Sequence, residues 1–153
     1  MAQGDVTMFN QFWEDLGDKL HNLSTDTFKM GIVTNTTVPT STTADPRWGA
    51  GGTTNFSSNE VTPGGNYSTG GPTVHDGAPD GWTRSVATTT FDLEDVSIAQ
   101  SGTNPSGAYW GIIYNDTDTG KRAIGFIDLG GPIDLSAGAF SITWHANGLF
   151  QQS

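Results

Sequence analysis

A mainly β fold is predicted by three observations. Two apolar runs, residues 109–114 and 123–129, flank the turn-forming stretch NDTDTG, and a third run, residues 140–144, follows a Gly-containing turn. Tyr, Trp, Ile and Phe fill these runs, as pleated, half-buried segments prefer. Glycine is abundant, at 21 of 153 residues, and hydrophobic residues make up only 34%, which suits a small core carrying long polar loops. We expect one domain over residues 1–153, an antiparallel β-sandwich or jelly-roll-like fold with one N-terminal α-helix. Its parts are an arm and helix over 1–23, a loop-rich polar excursion over 34–81 and core strands over 82–150.

Each element has a local reason. Residues 1–7 lack periodicity and read as a flexible or partner-bound arm. From residue 8 to 23 the apolar side chains Phe9, Phe12, Trp13, Leu16, Leu20 and Leu23 recur at spacings of three and four, which predicts one helical face. Glu14, Asp15, Asp18 and Lys19 fall on the other face, and Gly17 weakens the helix interior by about 1 kcal/mol relative to Ala. This helix, about four turns long, is expected to pack on the sandwich or reach to a neighbouring subunit. Residues 24–26 form a turn, and Thr27–Val33 alternates Phe28, Met30 and Ile32 against Thr27, Lys29 and Gly31, the pattern of a half-buried strand.

The next stretch, 34–81, is rich in Thr, Ser, Asn, Gly and Pro, with turn signals at Asp45-Pro46, Pro63-Gly64 and Asp76-Gly77. A structureless loop of that length is unusual in a compact domain. It either hides short strands or serves binding, with Trp48, Phe56, Tyr67 and Trp82 as its anchors. Residues 82–90 and 90–98 read as strands, the second broken near Glu94-Asp95, where the apolar alternation of Phe91, Leu93, Val96 and Ile98 slips. The three closing runs read as a β-meander.

Charge and composition exclude several functions. The formal net charge is −10, and the six basic residues, Lys19, Lys29, Arg47, Arg84, Lys121 and Arg122, are scattered. Phosphate binding needs clustered lysines and arginines, so no nucleic-acid or membrane partner is expected. With no cysteine, disulfides and thiolate chemistry are excluded, which leaves oligomerisation or binding to a larger assembly as the expected staple. No apolar run reaches the length of a membrane span. The first residues lack a basic n-region and a continuous apolar stretch, so no signal peptide is expected. The sequons at Asn22, Asn35, Asn55, Asn66 and Asn115 are read as products of an Asn/Thr-rich composition.

Candidate chemical groups each have a simpler structural reading. Asp116-x-Asp118-x-Gly120 resembles the start of a calcium loop, but Ile127 stands where the closing Glu of an EF-hand belongs, and a hairpin turn explains the residues. His75, Asp76 and Asp80 suggest a metal or acid–base cluster, or two Asx-turns. Asp92, Glu94 and Asp95 invite a glycosidase reading with no cleft signal beside them. His21, His75 and His145 show no metal-ligand spacing, and no Gly-x-Ser-x-Gly nucleophile motif occurs. No catalytic residue, metal or cofactor is therefore expected. Five tryptophans exceed what a small core needs; Trp110 and Trp144 are assigned to core strands, while Trp48 and Trp82 are interface candidates.

Residues 9–36, FNQFWEDLGDKLHNLSTDTFKMGIVTNT, resemble the N-terminal signature of a group of small structural proteins of tailed bacteriophages. Residues 109–150, with a YND hairpin, the strand IGFIDLG and a closing FSITW segment, resemble the C-terminal signature of the same group. The resemblance covers about half of the chain and leaves the middle unmatched. It implies a virion protein, and within that class a capsid decoration, or cement, protein. Such a protein is a cytoplasmically assembled homotrimer on the capsid exterior, partnered by the major capsid protein. Phe9, Phe12, Trp13, Leu16, Trp48, Phe56 and Trp82 are the residues expected at the partner interface. A tail or neck component and a carbohydrate-binding β-sandwich adhesin are the alternative readings.

Overall fold

The computed structural model describes residues 4–78 and 81–152. In chain order the elements are β1 (Val6–Met8), α1 (Asn10–Gly17), β2 (Thr27–Val33), β3 (Pro46–Arg47), β4 (Thr54–Asn55), a 3-10 turn (Phe56–Asn59), β5 (Thr73–Asp76), β6 (Trp82–Arg84), β7 (Thr89–Phe91), β8 (Val96–Ile98), β9 (Ala108–Asn115), β10 (Ala123–Ile133), β11 (Phe140–Ile142) and β12 (Phe150–Gln152). The chain is mainly β, with antiparallel sheets and one α-helix near its N-terminus, the expected fold class.

A five-stranded sheet in the order β1-β10-β9-β2-β5 organises the molecule. Its centre is the β9–β10 hairpin read from the sequence, with β2 docked antiparallel on β9 from Phe28↔Asn115 to Val33↔Trp110. Two smaller sheets, β11-β8 and β12-β7-β6, contribute Val96, Ile98 and Phe91 to one core with Phe28, Met30, Ile32, Ile113, Ile127 and Leu129 of the large sheet. The opposite face of the large sheet packs Ile112, Tyr114 and Phe126 against Phe9, Trp48 and Phe56. Ile113 and its neighbours Ile112 and Tyr114 thus serve opposite layers, as the two-residue period of a strand dictates.

The structure corrects several expectations. The third run of the supposed meander does not extend the hairpin; β11 pairs with β8 in a separate sheet, and Trp144 lies beyond its end. The core sheet also draws β1, β2 and β5 from outside residues 82–150. Val6 and Thr7, expected in a flexible or partner-bound arm, and Met8, expected at the start of the helix, form a strand paired with β10. The helix is half the expected length because the chain turns out of it at Lys19, which has φ of 62°. There the Lys19 amide donates to the Leu16 carbonyl (3.2 Å) and the Leu20 amide to the Asp15 carbonyl (2.9 Å), the two bonds of a Schellman cap. Strand β2 is buried on both faces from Met30 onward, since the excursion covers its second face. Residues 82–90 form a hairpin of β6 and β7, and the slip at Glu94-Asp95 is where the chain leaves β7 and enters the sheet of β8.

The excursion is folded onto the domain. Its tight passage over β2 depends on Gly31, where a Cβ would sit 2.1 Å from the Trp48 ring. That ring stacks on Tyr114 at 5.0 Å with planes 8° apart. Farther along, the Tyr67 hydroxyl donates to the Glu60 carboxylate (2.9 Å) and accepts from the Ile32 amide (2.8 Å). The Tyr114 hydroxyl donates to the Gly70 carbonyl (2.9 Å). Buried hydroxyls that bridge loop to sheet in this way fix a polar segment that periodicity alone cannot place.

Candidate functional site

Three of the seven expected interface residues meet on one outer surface. Trp13 leaves α1 and is 48% exposed, and Leu16, one turn on, is half-buried. Trp82 opens β6 and is also half-buried. What joins them is Phe150 of β12, whose ring lies 5.3 Å from Trp13 and 6.1 Å from Trp82. Beneath it, Phe150 rests on Phe12 and Phe91, at 5.8 and 5.7 Å, so the patch stands on the core. Leu20, 38% exposed, continues the apolar spacing of the helix just past its cap.

Beside the patch lies an open cleft of about 420 Å³, lined by Leu16, Lys19, His21, Asn22, Leu23, Ser24 and Trp82. Its lining mixes the polar Lys19, His21, Asn22 and Ser24 with the apolar Leu16, Leu23 and Trp82, a mixture typical of protein recognition surfaces.

The other four expected interface residues are corrected by their burial. Phe9, Phe12 and Phe56 have no exposed surface and Trp48 retains 7%. Phe9 packs on Phe126 at 5.0 Å and on Phe56 at 6.0 Å, inside the layer that the excursion forms with the sheet. An aromatic residue in a polar stretch has two outlets, a partner or its own domain, and here the domain takes these. Trp48 is thereby also removed as a sugar-stacking platform, while Trp82 keeps an outward position. Phe150 was the missed member; its signal was an isolated Leu-Phe pair in a polar C-terminal tip.

The candidate chemical groups are occupied structurally. At the hairpin tip Asn115 is fully buried, and its carbonyl oxygen accepts from the Thr117 and Asp118 amides at 2.9 and 3.0 Å, an Asx-turn as expected. Asp116 pairs with Lys121 (2.6 Å) and Lys29 (3.2 Å), and Asp118 with Arg122 (2.8 Å). Burial raises both carboxyls, but hydrogen bonds from Lys121 and Lys29 to Asp116, and from Arg122 and Gly120 to Asp118, outweigh it and hold both below the usual carboxylate range. Carboxylates neutralised by their own lysines and arginines are not poised for a cation. Among the described residues no group of three or more potential ligands could hold a metal ion.

His75 is buried between Phe28 and Phe91, at 6.0 and 5.5 Å. Asp76 accepts from the Ala78 amide at 2.9 Å, the expected Asx-turn; Asp80, the third member of that cluster, lies outside the described residues. Asp92 accepts from the Leu93 amide (2.9 Å) and Asp95 from the Trp144 amide (3.1 Å), so both shape the crossing between sheets.

One polar hub was not legible in the sequence. Asn115 also donates to Asp26 (2.7 Å) and to His21 Nδ1 (3.1 Å). His21 therefore accepts on Nδ1 and carries its proton on Nε2, which lies 3.9 Å from Asp15. Asp15, expected on the outer helix face, instead points inward to Arg122 at 3.8 Å and is 5% exposed. Burial is the main cause that lowers the His21 pKa below 6.5, with Asp15 opposing it. The hub ties the segment after the helix, from which the cleft is built, to the hairpin tip.

No family model matches the chain, and neither does any curated protein or solved structure.

Proposed function

We propose that this chain is a structural protein of a bacteriophage particle, a capsid decoration protein that docks on the major-capsid lattice and stabilises the head. The observation that carries the reading is the part-exposed apolar patch of Trp13, Leu16, Trp82 and Phe150, with Trp13 48% exposed and the other three packed on the core. Large aromatic side chains held by packing lose little freedom on binding and act as interface anchors. The titratable groups that could have suggested chemistry serve turns, ion pairs and sheet crossings instead. The resemblance of both chain ends to phage structural proteins points the same way.

Cementing requires no reaction. A protein that binds only the assembled shell stabilises it by mass action, and trimerisation would multiply modest contacts through effective concentration. The test is the position of the chain in virions that carry it, read by electron microscopy with a gold-labelled antibody. Label over the head surface is expected; label confined to the tail or neck would replace this reading with that of a tail component.

A further inference from the structure

The two edges of the large sheet are treated differently. At one edge, β5 is closed by the crossing segment, where the Glu94 amide donates to the Val74 carbonyl at 2.7 Å. At the other edge β1 has β10 on one side and, among the described residues, no strand on the other. The sequence Val-Thr-Met of β1 carries neither the lysine nor the proline that commonly protects an open edge. The Phe9 amide donates to the Ile124 carbonyl at 3.1 Å. In the observed register, Val6↔Ile127 to Met8↔Gly125, the bonded pairs are then Phe9 with Ile124 and Thr7 with Phe126. The amides of Val6 and Met8 point away from the sheet.

Next to this edge runs a groove in two connected parts, about 500 and 290 Å³, which share Gly4, Ile127, Ile142 and Thr143. One wall is β1 with β10, and the other is β11 and the segment after it. Among the described residues β11 pairs only with β8, and its second edge faces no strand. Ile127, Leu129, Ile133, Phe140, Ile142 and Leu149 supply the apolar lining. The charged residues among those that line it are Asp5 and Asp128, with no lysine or arginine. Elsewhere, Lys29, Arg47, Lys121 and Arg122 are held in ion pairs with Asp116, Asp45 and Asp118.

We propose that this groove receives an extended segment of a partner protein, with alternating apolar and basic side chains, which adds as a strand beside β1. Main-chain bonds to Val6, which lines the groove, supply the pairing, apolar side chains fill the lining, and a lysine or arginine faces Asp128. The groove shares no lining residue with the aromatic patch, so binding here is tested apart from the proposed docking on a capsid.

The probe is a fluorescein-labelled heptapeptide of alternating Lys and Val, followed by fluorescence anisotropy. A Glu/Val peptide tests charge, and a Lys/Val peptide with a central proline tests strand pairing at unchanged basic character. The Lys/Val peptide is expected to bind, weaken with added salt, and slow hydrogen exchange at the Val6 amide. Val6→Pro, tolerable on an edge strand, should weaken binding by about tenfold through loss of a main-chain donor. Asp128→Asn keeps an acceptor for the Gly130 amide, now 2.8 Å away, and should weaken binding by about threefold. Absence of binding, equal binding of the proline-containing or Glu/Val peptide, or unchanged binding by folded Val6→Pro would overturn the proposal. So would sedimentation showing that the chain self-associates through this edge and that Val6→Pro dissociates it, because the occupant would then be a second copy.

Discussion

Single residues set how this chain responds to acid. His21 is buried, with its Nδ1 accepting from Asn115, and burial lowers its pKa from 6.5. A histidine that is harder to protonate in the folded state than in the unfolded one favours unfolding as pH falls below its ordinary value. Stability should therefore begin to fall as pH drops through about 6.5 and continue downward as the unfolded chain takes up a proton that the folded chain resists. Asp116 and Asp118 act in a lower window, since their pKa values are depressed from 3.8. Their contribution is present above that value and is lost as pH falls through their folded pKa values. Urea titrations from pH 7.5 to 3 should show a first decline beginning near pH 6.5 and a second beginning near pH 3.8. His21→Gln, which keeps an acceptor for Asn115, should flatten the first and leave the second; an unchanged first decline would assign it to another group.

At the scale of elements, the contact between the excursion and β2 is decisive. Gly31 leaves room for the Trp48 ring, which approaches an added Cβ to 2.1 Å. Gly31→Ala should destabilise the fold by about 1–3 kcal/mol, the usual cost of overpacking. Trp48→Leu in the same chain should recover part of that loss, measured as a coupling in a double-mutant cycle by urea denaturation; strict additivity would show that the ring moves freely. The sequence showed β2 by its alternation, β9 and β10 as continuous apolar runs flanking a turn, and the break near Glu94-Asp95 as a slip in the alternation of its neighbours. It showed the first turns of α1 but not its end, since the left-handed turn falls on Lys19, where glycine is the usual signal. The excursion was opaque for a related reason. Its order comes from Tyr67 reaching Ile32, Tyr114 reaching Gly70 and Trp48 stacking on Tyr114 across long sequence separations, and no local pattern records such contacts. The same blindness affected the candidate site: spacing marked Trp13 and Leu16, yet only the fold shows that Phe9 and Phe56 are enclosed and that Phe150 completes the patch.

At the scale of the whole molecule, the distribution of rigidity bears on the proposed role. The core is continuous beneath the patch, because Phe150 touches Phe12 and Phe91 as well as Trp13 and Trp82. Phe91 in turn meets Phe28 of the large sheet at 5.4 Å, so the patch is packed through to that sheet, as the proposed clamp would need. Trp13 itself is half-exposed, so its removal separates binding from folding. Trp13→Ala should leave the thermal midpoint of the free protein within a few degrees, because the lost burial is about 1 kcal/mol or less. Its affinity for heads that lack the protein should fall by about thirtyfold or more, the effect of losing an interface anchor worth about 2 kcal/mol. Heads without the chain should rupture at lower temperature or milder osmotic shock than complete ones. Wild-type protein should restore them, and Trp13→Ala should fail to do so at concentrations where wild type succeeds. Equal rescue by the variant would move the docking surface away from the patch, whereas heads equally robust with and without the chain would remove the cementing role itself.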